Sequence, residues 1–280
     1  MDVAAASPNQ RGQALSRRRL LQLAGFAGIG LAAAGACSTK PAAEPSAPPS
    51  PPMPSAAPPS TVTTVIETAP PAPVVAPAPA VVPASNLMLC RDAWQASAPR
   101  PGGTPHQLSS MTIHHTAVVL GANENAPRRL RQHQRYHQDT HGWIDIAYHL
   151  SVDRNGNIYE LRDPQLVGDT ATSYDPTGHF LVVCEGDFDQ EEISEDQLNG
   201  AALAFAWAAE QYNIPTDRLA GHKDESGDTA CPGASLYAHV TSGELQRRID
   251  AILANGPVNL QKICGPEATA YVADIEAGIR

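Results

Sequence analysis

Between residues 41 and 85 the sequence holds 15 prolines and 11 alanines against only two charges, Glu44 and Glu67. Such a stretch cannot bury enough apolar surface to offset its ordering entropy, and its prolines hold the backbone near extended polyproline conformations. Any packed core must therefore come from the residues after it. At about 3.1 Å per residue, a fully extended spacer of this length spans on the order of 100 Å. Residues 38–85 read as a disordered linker and residues 86–280 as one globular domain, with a C-terminal extension from about residue 256.

Ahead of the linker, Arg17-Arg18-Arg19 precedes an apolar run over residues 20–36 that is rich in Ala and Gly and interrupted by Gln22. A paired-arginine head before a weakly hydrophobic run, too short for a comfortable membrane span, is the pattern of a twin-arginine export signal over residues 1–37. The run ends Ala34-Gly35-Ala36-Cys37, which has two readings. Ala34 and Ala36 form a small-x-small cleavage site, and Gly-Ala-Cys is similar to the lipobox at which a lipoprotein is cut before a lipidated cysteine. The expected location is the cell envelope or the exterior, with a lipid anchor if Cys37 is modified.

The chain of 280 residues carries 29 acidic against 19 basic residues. It lacks the basic footprint that phosphate backbones require, so nucleic acid is excluded as the expected partner. Five cysteines in a chain this long are too few to hold a disulfide-stapled miniature fold. A hydrophobic core must do most of the stabilising.

Within the domain, residues 112–116 read as a buried strand. Side chains alternate across a strand, so the adjacent His114 and His115 cannot both face one metal, and one of them is structural. Pro127 suits the first turn of a helix reaching to about Gln138. Its Arg128, Arg129, Arg131 and Arg135 read as an ordinary solvated face. His133, His137 and His141 have no acidic residue placed as in a metalloprotease helix, which argues against a metal site there. Residues 145–152 and 157–161 read as strands joined by a turn containing Asn155-Gly156, a strong hairpin signal, with Tyr148 on the first arm. Residues 180–184 form another buried strand, in which Cys184 is a small hydrophobe and after which Glu185 reads as an exposed carboxylate in preference to an extra acid–base group near the cleft. Ser194-Glu195-Asp196-Gln197 is a capping box before a helix whose Leu198, Ala202, Phe205, Ala209 and Tyr212 make one apolar stripe. A short strand over residues 219–222 and helical material over residues 234–253 follow. Strands alternating with helices, without a glycine-rich phosphate loop, predict an α/β fold with a central mixed sheet flanked by helices.

Three segments carry chemistry: Thr112-Ile113-His114-His115-Thr116-Ala117, Gly142-Trp143-Ile144-Asp145-Ile146-Ala147-Tyr148-His149, and Gly221-His222 running to Thr229-Ala230-Cys231-Pro232-Gly233. Histidines and a cysteine drawn from distant points, without an evident fourth ligand, are the donor set of an open, catalytic zinc site. Two neutral imidazoles and a thiolate leave Zn2+ a net charge near +1, enough to remain a Lewis acid.

Taken together and in this order, the motifs resemble the zinc amidases of the peptidoglycan recognition protein superfamily, which includes bacterial N-acetylmuramoyl-L-alanine amidases. The resemblance covers roughly residues 91–252. It implies His114, His222 and Cys231 as zinc ligands and Tyr148 and Thr229 as catalytic residues. It further implies an amidase, acting as a monomer on peptidoglycan or its muropeptides, that cuts between N-acetylmuramic acid and the L-alanine of the stem peptide. The alternative is a relative that binds peptidoglycan without cleaving it, although such relatives typically lack the cysteine. Two features depart from the family's pattern. The loop between His222 and Cys231 is one residue longer, so it is expected to bulge and shift Thr229, and Val167-Gly168-Asp169-Thr170 stands where many members carry a cleft histidine. Cys90 and Cys264 bracket the domain, and an oxidising exterior would favour a disulfide between them.

Overall fold

The computed structural model describes residues 85–280. The expected export signal, Cys37 and all but the last residue of the linker lie outside them. In chain order the elements are β1 (Leu87–Leu89), β2 (Ser110–His115), α1 (Ala126–Tyr136), β3 (Leu150–Val152), β4 (Ile158–Glu160), β5 (His179–Cys184), α2 (Glu195–Tyr212), β6 (Leu219–Gly221), α3 (His222–Glu225), α4 (Ala234–Thr241), α5 (Glu244–Ala254), β7 (Gln261–Ile263) and α6 (Gly265–Glu276). The strands form one seven-stranded sheet in the order β6-β2-β5-β3-β4-β1-β7. Every neighbouring pair is parallel except the β3–β4 hairpin. The expected mixed sheet flanked by helices is the fold found.

Alternation along the strands divides the core into two layers. Met111 and Ile113 of β2 and Phe180, Val182 and Cys184 of β5 pack with the buried faces of α2, α4 and α5. On the other side Tyr159, Val183 and Trp94 pack with Leu130 of α1 and with Ala268, Val272 and Ile275 of α6. Each fully buried Val, Leu, Ile, Phe or Met among them is worth about 1.5–3 kcal/mol relative to exposure, which makes the two layers the main source of stability. Cys184 is buried, as expected of a small hydrophobe.

Local signals explain several boundaries. Ser194 caps α2 by accepting the backbone N–H of Gln197 at 3.1 Å. The reciprocal half of the expected capping box does not form, because the Gln197 amide donates instead to the carbonyls of Val152 and Glu185 at 2.9 and 3.0 Å. This amide pins α2 to the ends of β3 and β5. The helix expected over residues 234–253 is two helices, broken at Gly243, whose φ of +70° ends the first and turns the chain into the second. Of the α1 arginines, Arg128 and Arg135 are exposed, while Arg131 pairs with Glu276 and ties α1 to α6.

The segment beyond residue 256 is part of the domain. β7 pairs with β1 in register Leu89↔Ile263, and α6 covers the second core layer. Cys90 and Cys264 follow those two strands, and Cys90 N–H donates to the Ile263 carbonyl at 3.0 Å. Both are free thiols in this structure.

The connection leaving β2 runs through α1 toward β3, whereas the one leaving β5 runs through α2 back to β6 on the other side of β2. The chain thus reverses direction around β2 and β5. In open α/β sheets, the crevice beyond the carboxyl ends of strands at such a reversal is where ligands bind.

Candidate metal centre

His114 is the penultimate residue of β2 and occupies this crevice. It points to the α1 side of the sheet, the opposite side from Ile113, and is 2 % exposed. β6 lies beside β2 with Gly221 opposite Ile113, so the chain leaving β6 delivers His222 next to His114. Their ring centroids are 4.7 Å apart. Cys231 returns to the same point at the end of the following loop, where Lys223 N–H donates to its carbonyl at 2.8 Å. Its Sγ lies 3.7 Å from His114 Nδ1 and accepts the backbone N–H of His115 at 3.4 Å. One donor atom from each of His114, His222 and Cys231 falls within 4.8 Å of the other two, and all three residues are buried.

These residues suit a zinc ion. Among the described residues, the His114 ring has no polar partner apart from the sulfur facing Nδ1, and its buried Nε2 makes no hydrogen bond there. Burial first, and the neighbouring His222 next, hold His114 well below the usual imidazole pKa, and burial lowers His222 as well. Both rings are therefore neutral donors. Burial pushes the Cys231 thiol up to about 12. A cation at this point stabilises the thiolate that burial alone disfavours.

His115 takes the structural role that strand alternation requires of one histidine in the pair. Its Nδ1 accepts the N–H of Phe188 at 3.3 Å on the opposite side of the sheet. Gly233 packs against the same two residues with φ +85°, and a Cβ there would lie 2.8 Å from the Phe188 backbone. Only glycine permits the chain to pass so close, and this fixes where Cys231 returns.

Tyr148 sits in the loop ahead of β3 and not on the strand, since the ladder begins only at Leu150. Its ring centroid is 5.0 Å from that of His114. Burial, Cys231 and Glu185 in that order raise its pKa, so the phenol keeps its proton. Thr229 lines the same groove and accepts the backbone N–H of Cys231 through Oγ1 at 3.1 Å. The long loop takes up its length in the single turn of α3 and an exposed turn after it. Asp224 closes that turn by accepting the N–H of Gly221 at 2.8 Å.

The groove above these residues encloses 390 Å³. Sequence reasoning missed several of its walls. His137 and His141, dismissed as metal ligands, line it together with Trp143, whose ring stacks on His141 at 4.3 Å. His137 Nδ1 accepts the N–H of Ala147 at 3.2 Å, and burial lowers its pKa to about 3. The neutral ring therefore carries its proton on Nε2 and is a donor. Trp143 belongs to a motif already singled out, which was an available signal for this wall. Asp169 and Thr170 line the groove from the segment where the family's cleft histidine is missing, and Thr172, which no local pattern announces, lines it two residues further on.

Glu185 departs from expectation. It is 1 % exposed, lies beneath the groove without lining it, and accepts the Ser151 hydroxyl at 3.0 Å. Burial pushes its carboxyl up to about 8. The β5 end is covered by α1 and α2, which the strand pattern alone could not reveal.

Comparisons with known proteins agree with this geometry. A family model described as N-acetylmuramoyl-L-alanine amidase matches residues 104–234. Peptidoglycan-recognition protein LB of Drosophila melanogaster is 29% identical over 167 residues, covering 57% of this chain and 69% of that protein. Human N-acetylmuramoyl-L-alanine amidase is 31% identical over 135 residues, 46% of this chain and 23% of that protein. Among solved structures, Drosophila melanogaster peptidoglycan recognition protein-LE in complex with tracheal cytotoxin, a monomeric diaminopimelic acid-type peptidoglycan, superposes with a TM-score of 0.50. Its identity is 32%, over 55% of this chain and 92% of that one.

Proposed function

Because residues 104–234 belong to the N-acetylmuramoyl-L-alanine amidase family, we propose that this protein is a zinc-dependent amidase that cleaves peptidoglycan between N-acetylmuramic acid and the L-alanine of the stem peptide. The observation that carries the reading is the buried meeting of His114, His222 and Cys231 at a groove that also contains Tyr148. Zinc held by these three residues would supply a Lewis acid that acidifies a water and polarises the scissile carbonyl.

The chain's own residues do the rest. Tyr148, kept protonated by burial, donates a hydrogen bond to the carbonyl oxygen as it gains negative charge. Thr229 uses a lone pair for the Cys231 N–H, which leaves its hydroxyl proton for an acceptor in the groove. His137 offers a further N–H from the wall. The 390 Å³ groove suits a stem peptide joined to a sugar, and the bound tracheal cytotoxin of the LE relative supports muropeptides as the ligand class.

Export through the signal over residues 1–37, with a tether over residues 38–85, would hold a monomeric domain within reach of the wall. Lipid on Cys37 would fix the tether to the membrane.

The test uses the full chain and its Cys231→Ala variant. One zinc per chain, with release of L-alanine amino termini from muropeptides that a chelator abolishes and the variant lacks, is the expected result. Zinc with muropeptide binding but no release would instead make the groove one that recognises without cutting.

A further inference from the structure

Of the three candidate ligands, His222 is the least constrained by its own backbone. His114 sits in the middle of a sheet and Cys231 is held at both N–H and carbonyl, whereas His222 opens a four-residue helix at the sheet's edge. Something else must decide which ring nitrogen it presents.

The strap over residues 170–174 makes that contact. Thr172 Oγ1 lies 2.8 Å from His222 Nε2. The same hydroxyl lies 2.8 Å from Thr170 Oγ1, which also accepts the Thr172 backbone N–H at 3.2 Å. Thr172 can therefore accept the Nε2 proton while passing its own proton to Thr170. The next two residues stitch the strap to both ligand-bearing elements. Ser173 Oγ meets Ser226 Oγ at 2.9 Å and Asp228 at 3.4 Å, both in the loop that follows His222. Tyr174 OH meets Thr112 Oγ1 at 3.1 Å, two residues before His114 and on the same face of β2. The Tyr174 ring is also 5.3 Å from that of His222.

We propose that Thr172 is a positioning residue of the metal centre, holding His222 with its proton on Nε2 so that Nδ1 is the atom presented to zinc. Resting on the zinc reading above, it adds to that reading a residue supplied by this chain's own strap. An imidazole ligand whose second nitrogen donates to a fixed acceptor is oriented and made more basic, and loss of such a partner typically lowers metal affinity about 10- to 100-fold. Valine matches threonine in shape and lacks the hydroxyl, while serine keeps the hydroxyl.

The experiment compares full-length wild type, Thr172→Val and Thr172→Ser by chelator-competition titration of zinc and by the absorption bands of the cobalt(II)-loaded protein. Ring 1H–15N correlation of His222 in the zinc-loaded wild type reports which nitrogen is metallated. Thr172→Val should bind zinc about 10- to 100-fold more weakly with shifted cobalt bands, Thr172→Ser should restore both, and Nδ1 should be the metallated atom. Melting temperatures of the metal-free proteins check that the valine variant folds. Should it not fold, the ring correlation and the serine variant decide. Equal zinc affinity in wild type and Thr172→Val, equal weakening in both variants, or metallation at Nε2 would overturn the role of Thr172. Wild type that takes up no zinc would overturn the metal reading itself and the proposal with it.

Discussion

The carboxyl of Glu185 accepts the hydroxyl proton of Ser151 at 3.0 Å, and both side chains are shut away from solvent. In the fold this carboxyl holds its proton up to about pH 8, against an ordinary value of 4.5. Between these values the folded state keeps a proton that the unfolded state has released. The contribution of Glu185 to stability is therefore full below pH 4.5 and is lost as pH rises to about 8. Glu185→Gln keeps an acceptor for Ser151 without the ionisation. It is expected to stabilise the protein at pH 7 by on the order of 3 kcal/mol, one pKa unit being about 1.4 kcal/mol, and hardly at all at pH 4.5. Denaturant unfolding at the two pH values checks this, and equal effects at both would show that Glu185 ionises normally.

Tyr148→Phe removes the phenol beside His114 and preserves the ring. If the hydroxyl donates to the developing oxyanion, kcat on muropeptides should fall about 10²- to 10³-fold. Zinc content should stay the same, because Tyr148 is not among the donors. Metal analysis beside single-substrate kinetics separates this from loss of the site.

Gly233→Ala forces a Cβ to within 2.8 Å of the Phe188 backbone at a residue with φ +85°. Strain of this kind costs about 1–3 kcal/mol. Thermal unfolding should report that loss, and zinc affinity should drop in step, since Gly233 sets the return of Cys231. Undiminished affinity in a destabilised variant would separate the turn from the site.

Cys90 and Cys264 immediately follow the paired residues Leu89 and Ile263, which brings the two free thiols to adjacent chain positions. In an oxidising exterior they are expected to form a disulfide closing a long loop, worth on the order of 4 kcal/mol on the chain-entropy account. Thiol titration of denatured protein, with and without prior reduction, should differ by two thiols, and Cys264→Ser should abolish that difference. No difference in wild type would mean that the pair stays reduced.

The grouping of His114, His222 and Cys231 was legible because each lies in a short run with its own chemistry: His114 in an apolar strand, His222 after a glycine, Cys231 before Pro-Gly. The β3–β4 hairpin was equally plain from Asn155-Gly156. What escaped was tertiary in origin. β7 is a strand of Gln261, Lys262 and Ile263 with two exposed side chains, so nothing alternates, and it is a strand only because β1 is there to receive it. The Gln197 amide is engaged by the carbonyls of Val152, at the end of β3, and of Glu185, just past β5, and not by its own helix terminus. Thr172 lies fifty residues from His222 in a segment without periodicity, so its hydroxyl gains meaning only when the strap folds across.

The placement of β1 has a mechanical consequence. This strand lies between β4 and β7 and not at the sheet's margin, so chain entering from the N-terminal side is gripped by two ladders running in the same direction. Were the groove to hold polymer and the preceding residues to act as a tether, as proposed above, tension between them would load both ladders in shear together and not peel them one bond at a time.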